Sequence, residues 1–175
     1  GCRMPGSKRE MGSHGRAAEH VEEGGPHEGG VAMVRVTRRL HFCAAHRLGR
    51  DDWPADRNAE VFGLCSNPNW HGHNYELDVT VEGPVDPATG FVMDLKQLRE
   101  LVEARVIRDL DHRNLNLDVP WLAGIIPTTE NLVVGVWRRI AAGLPAPIRL
   151  VKLVLWETPR NYVEYRGWAE APERS

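Results

Sequence analysis

The chain has 175 residues, 42% hydrophobic and 26% charged, the composition of one ordinary domain with a real core. A formal net charge of −2 asks for neither nucleic acid nor an anionic membrane, so a small-molecule partner is the default. Cys2, Cys43 and Cys65 are odd in number and lack paired spacing, which excludes a disulfide framework and points to free thiols in a reducing compartment.

No apolar run approaches the roughly 20 residues of a membrane span, and the N-terminus has no signal-like hydrophobic stretch; the chain reads as cytoplasmic. Residues 1 to 32, rich in Gly, Glu, Ser and Arg, have no apolar periodicity and read as a disordered tail. Its His14, His20 and His27 would lose much chain entropy in converging on a metal. Met33 opens the ordered pattern of a domain expected over 33–170, so what precedes it reads as tag, leader or an early start. From Val34 the chain alternates, with Val36, Leu40, Phe42, Ala44 and His46 on one parity and Arg35, Thr37, Arg39 and His41 on the other. This is a strand with His46 on its apolar face. Gly49 to about Pro68 reads as a long loop, punctuated by Asp51, Pro54, Asn58, Gly63 and Asn67.

His71 to Val81 is the clearest strand: His71, His73, Tyr75, Leu77, Val79 and Val81 share a face. Leu95, Leu98, Leu101, Val102 and Val106 predict a helix over about 94–110, and Leu132, Val133, Val136, Trp137 and Ile140 a second over about 128–142. Strands at 148–156 and about 162–165 complete an α+β layout, helices on one face of an antiparallel sheet.

His71 and His73 stand side by side on their strand, and His46 at the end of a neighbouring strand could complete a facial three-nitrogen set with a vacant fourth position. That is the pattern of a catalytic zinc, although His-x-His alone also occurs as a polar pair at a strand edge. Cys65, six residues upstream in Cys65-Ser66-Asn67-Pro68-Asn69-Trp70-His71, lies in a loop able to bring its thiol toward that metal, where a cation favours the basic thiolate. The bland alternative, a buried small hydrophobe, suits Cys43 better. Asp111-His112 could hold an imidazole for proton relay, or simply place a cation at a helix C-terminus. Thr128-Thr129-Glu130 reads as a helix cap with an acidic first turn, and Glu157, ending a strand, could accept two parallel N–H bonds from an amidine-like edge.

These residues, in order, resemble the 6-pyruvoyltetrahydropterin synthase and 6-carboxytetrahydropterin synthase family from about Leu40 to Tyr165. The stretches that carry the likeness are Phe42 to Leu48, Cys65 to Tyr75, Leu110 to Pro120, Thr128 to Leu132 and Trp156-Glu157-Thr158. The resemblance implies a tunnelling fold (T-fold), a four-stranded antiparallel sheet with two helices on one face, assembled as trimers or hexamers with active sites between subunits. It implies His46, His71 and His73 as Zn2+ ligands, Cys65 as base with Asp111 and His112 as partners, and Glu157, Thr128, Thr129 and Glu130 around a pterin. Magnesium on a substrate triphosphate stays open. The implied reaction converts 7,8-dihydroneopterin triphosphate to 6-pyruvoyltetrahydropterin; the alternative is the queuosine-pathway enzyme, which expels acetaldehyde, and a third reading is a zinc- or pterin-binding module without turnover. Five residues between Cys65 and His71 resemble the pyruvoyl branch, since the carboxy branch usually has three. The chain departs from the family at Cys43, often serine, at Trp70, commonly glycine, and at Pro159, where an acidic residue is usual.

Overall fold

The structure, a computed structural model, describes residues 32–168. The expectation of a disordered tail therefore falls outside the described residues, Ala32 excepted, whose carbonyl accepts the Val85 amide at 3.4 Å.

The four expected strands are present and set the frame. β1 (Met33–His46) and β2 (His71–Pro84) are antiparallel over their whole lengths, from Met33 opposite Pro84 to His46 opposite His71. β4 (Arg149–Thr158) pairs with β2, and β5 (Asn161–Tyr165) pairs with β4. The sheet has five strands, not four, in the order β3-β1-β2-β4-β5, and it is mixed: β3 (Arg113–Asn114) runs parallel to β1 beside Ala44 and Ala45. Two residues are too few to carry an alternating signature, and β3 forms only because the chain after the first long helix is laid along the free edge of β1.

Alternation gives the sheet two unlike faces. Phe42, Tyr75, Leu77, Val79, Leu153 and Leu155 are buried against the helices. On the other face the neighbouring strands are stapled by polar rungs: Arg35 and Arg149 on Glu82, Thr37 on Thr80, and Arg39 on Asp78 and Glu76. Fully burying each large apolar side chain contributes roughly 1.5–3 kcal/mol, so the helix-facing side carries the hydrophobic stability.

The first long helix starts at Leu95, capped by the Asp94 carboxylate on the Lys96 amide. Its Leu98, Val102, Val106 and Leu110 are all buried, at four-residue intervals. On an ideal α-helix each such step overshoots a full turn by about 40°. The π-helical turn Glu103–Ile107, between α2 (Leu95–Val102) and α3 (Arg108–Leu110), winds more slowly and keeps the four side chains on the sheet. α4 (Thr129–Ala141) buries Leu132, Val133, Val136 and Ile140 and is capped by Thr128, within a residue of its expected bounds at both ends.

The segment read as loop over Gly49–Pro68 contains α1 (Ala55–Phe62) and a short 3-10 turn, Gly63–Ser66. Nothing on α1 is buried, so no apolar stripe announces it. Asn58 anchors its first turn: its Oδ1 accepts the Arg50 amide at 2.8 Å, and its Nδ2 donates to the carbonyls of Arg50 and Trp53.

Candidate metal centre and substrate cleft

The long β1–β2 ladder ends on histidines. His46, the last residue of β1, faces His71, the first of β2, while Ala44 faces His73. Period-two alternation puts all three rings on the helix-facing side at one end of the sheet, with one nitrogen of each within 4.8 Å of the others. Gly72 allows this closeness: a Cβ there would stand 3.2 Å from the Ala44 carbonyl oxygen, pushing β1 from β2 between the two histidines.

His46 is wholly buried, and its Nδ1 is 2.9 Å from the Pro127 carbonyl oxygen. A carbonyl only accepts, so Nδ1 carries the proton and Nε2 presents a bare lone pair, the usual arrangement of a metal-ligating imidazole. Burial pushes the pKa of His46 below its ordinary value, and burial with the neighbouring His73 does the same for His71. Both are thereby held in the neutral, ligating form. Nε2 of His46 and of His73, and both ring nitrogens of His71, are buried without a hydrogen-bond partner. Leaving a buried polar atom unpaired costs about 1–3 kcal/mol, so several together at one point mark a place built for an ion. Three imidazole nitrogens clustered at one point suit zinc and its borderline neighbours and fit magnesium poorly.

Beside the histidines, joined to them through Glu157, is a cleft of about 320 Å³ lined by Leu48, Cys65, Thr128, Thr129, Glu130 and Glu157, closed on the β5 side by Asn161, Tyr162 and Val163. Glu157 reaches it from an irregularity in the β4–β5 pairing between Trp156 and Thr158, the kind of kink that re-aims a side chain. Its Oε1 lies 3.5 Å from His46 Nε2 and 3.4 Å from His73 Nε2. Cys65 sits half-buried in the 3-10 turn, which is fastened to the end of β1 by the Leu48 amide donating to the Cys65 carbonyl at 2.8 Å. Thr128 and the first turn of α4 form a wall, so the partial positive charge of a helix N-terminus lies at the cleft.

The structure thus brings His46, His71, His73, Cys65, Glu157, Thr128, Thr129 and Glu130 to one place, and leaves Asp111 and His112 outside it. They flank Cys43, three residues before His46 on β1 and therefore on the opposite face of the sheet. The Cys43 amide donates to Asp111 Oδ1 at 2.9 Å and, with His112 beside it, holds the Asp111 carboxyl below the usual range. Asp111 Oδ2 is 3.0 Å from His112 Nδ1, and His112 is 79% exposed. Sequence reasoning missed Pro127 and the β5 residues as parts of the site: a backbone carbonyl has no residue signature, and Asn161 and Tyr162 enter only through the turn after Glu157. Tyr75, buried beside the histidine rings with its hydroxyl unpartnered, was legible as the next residue on their face.

Fold and site together define an α+β protein whose sheet ends in three clustered histidines able to hold a metal ion, beside a cleft that shares Glu157 with them. The sequence model of the family described as 6-pyruvoyl tetrahydropterin synthase matches residues 35–168, and the chain belongs to that family. Human 6-pyruvoyl tetrahydrobiopterin synthase is 43% identical over 145 residues, 83% of this chain and 97% of that protein. The solved structure of the Caenorhabditis elegans 6-pyruvoyl tetrahydropterin synthase has a TM-score of 0.73 at 36% identity, covering 79% of this chain and 98% of that one. Bacillus subtilis 6-carboxy-5,6,7,8-tetrahydropterin synthase is more distant, 28% identical over 136 residues, 75% of this chain and 84% of that protein.

Proposed function

We propose that the chain is a zinc-dependent 6-pyruvoyltetrahydropterin synthase, a carbon–oxygen lyase that converts 7,8-dihydroneopterin triphosphate to 6-pyruvoyltetrahydropterin with elimination of triphosphate. The observation that carries this reading is the cluster of three imidazoles with partnerless nitrogens, beside a cleft that holds a thiol and shares the Glu157 carboxylate with them.

Zinc held by His46, His71 and His73 supplies Lewis acidity at the side-chain hydroxyls of the substrate, making their neighbouring C–H bonds more acidic. Glu157 accepts two N–H bonds from the amidine-like edge of the pterin, which would hold the ring with its side chain toward His46, His71 and His73. Thr128, Thr129 and Glu130 border the same pocket. Cys65 removes the activated proton, and Asp111 holds the His112 ring in one orientation so that its imidazole returns a proton as triphosphate departs. Because Cys65 and His112 belong to different faces of one chain, the reaction brings Cys65 of one chain to Asp111 and His112 of another, which calls for a homo-oligomer, a trimer or hexamer. A reducing compartment, the cytoplasm, suits a reaction that needs Cys65 as a free thiol.

Purified protein incubated with dihydroneopterin triphosphate, with products identified by mass, tests the reading. The pyruvoyl product is expected. The five-residue spacing from Cys65 to His71 and the higher identity to the human relative favour it over the carboxy product, which acetaldehyde release would reveal. Metal uptake without any product would leave a binding module.

A further inference from the structure

We propose a second cation site, formed by Cys43, Asp111 and His112, that takes a thiophilic divalent ion such as Zn2+, Co2+ or Cd2+. One donor atom from each residue lies within 4.8 Å of the other two, on the sheet face away from the three histidines. Asp111 Oδ2 and His112 Nδ1 are 3.0 Å apart, while atoms bonded to one zinc-sized ion at about 2.0–2.2 Å stand about 3–3.5 Å from each other. Little movement is needed to turn the pair into two ligands.

The donors are held by backbone. Asp111 Oδ1 accepts the Cys43 amide, which turns Oδ2 toward His112 Nδ1 at 3.0 Å. His112 has a left-handed φ of 57°, fixed by its own amide donating to the Cys43 carbonyl at 2.6 Å. Cys43 Sγ donates to Asn74 Oδ1 at 3.0 Å, which aims the sulfur along the same face. Beside them lies a hollow of about 460 Å³, lined by Cys43, Gly72, Asn74, His112, Arg113 and Asn114, with room for an ion and its remaining ligands. Thiolate, carboxylate and imidazole form a set that a zinc-like ion prefers and magnesium or calcium does not. The two negative charges balance the ion; the hollow's lining also includes Arg113 and His73. Cys43 makes the difference: with serine there, the set loses the ligand that gives it softness.

The consequence for turnover rests on the function proposed above. An ion on His112 Nδ1 and Asp111 Oδ2 occupies the pair that relays the proton, so excess zinc inhibits the enzyme that zinc activates.

Zinc-loaded protein is titrated with Co2+ while the thiolate-to-cobalt charge-transfer band is followed, for wild type, Cys65→Ala and Cys43→Ser. The expected result is one further Co2+ per chain with a band that survives in Cys65→Ala. In Cys43→Ser the band vanishes and affinity falls by more than the roughly 10–100-fold that changes around a metal site cost. Absence of the band from wild type, or its persistence in Cys43→Ser, overturns the site. A companion assay adds Zn2+ to turnover, where wild type is expected to be inhibited and Cys43→Ser to resist. A band that tracks Cys43 while Zn2+ leaves wild-type turnover undisturbed keeps the site and removes Asp111 and His112 from the reaction.

Discussion

His46 illustrates how much a single residue here depends on its surroundings: a buried imidazole whose proton is committed to the Pro127 carbonyl keeps its Nε2 lone pair available, and the proposed function uses it as a ligand. His71 and His73 are set side by side by the period of β2. His71→Ala is therefore expected to lose the metal, read as zinc per chain by elemental analysis. Cys65→Ala is expected to keep the metal and lose about 10²–10⁴-fold in turnover per metal-loaded molecule, the range of general-base catalysis. Near wild-type turnover in Cys65→Ala would transfer the role of base to His112, whereas loss of zinc would make Cys65 a ligand. Trp70, immediately before His71, has a φ of 66°, a left-handed conformation that costs a bulky L-residue roughly 1–2 kcal/mol. Its ring is held by the Arg47 guanidinium 5.3 Å from its centroid. Trp70→Gly and Trp70→Ala both delete that contact and differ only in backbone freedom. The glycine variant is expected to be the more stable of the two by about 1 kcal/mol in urea unfolding, the reverse of their order in ordinary backbone. An alanine variant that is equally stable would show that position 70 carries no strain.

At the level of elements, the sheet is fastened differently on its two faces, and the rungs of the polar face have a pH dependence of their own. Glu82 on β2 joins Arg35 of β1 to Arg149 of β4, and those guanidinium groups hold its carboxyl below its ordinary value of 4.5. The unfolded chain takes up this proton near that value and the folded chain only at lower pH. In that interval the unfolded state binds more protons, so stability is full above about pH 4.5 and is lost as pH falls through the folded value. Glu82→Gln is expected to lower Tm at neutral pH and to flatten the acid limb of the Tm profile. Parallel limbs in the two proteins would refute the role of this rung. The π-helical turn is a similar compromise within one element, keeping Val106 and Leu110 in line with Leu98 where regular winding would rotate them off the sheet.

For the whole molecule, the consequence of the fold is that its proposed proton-moving groups fall into two places, Cys65 with the histidines and Asp111 with His112 behind β1. The proposed reaction therefore calls for two chains at one reaction centre. Cys65→Ala and His112→Ala, each nearly inactive alone, are expected to regain turnover when co-expressed in one oligomer, because roughly one site in four draws both intact groups under random assembly. No recovery in oligomers shown by mass to contain both variants would put all the groups within one chain.

What the sequence determined was local: the parity that puts His71, His73 and Tyr75 on one face, the apolar alternation of β1 that carries His46, and the start of α4 at Thr128. Each is a property of one segment, because side-chain direction within a strand or helix follows from backbone period alone. The family likeness added expected roles for Cys65, Asp111, His112 and Glu157, and the expectation of active sites between subunits. Tertiary structure decided that His46 faces His71 across a ladder whose strands are 24 residues apart in the chain, that Glu157 is turned inward by an irregular rung, and that β3 lies parallel along the edge of β1. It also decided that Asp111 and His112 lie behind the sheet, since the chain that carries them is docked by the Cys43 amide and carbonyl. Such outcomes are set by register and by which edge a returning segment meets, and those depend on the packing of the entire core, which no single stretch of residues encodes.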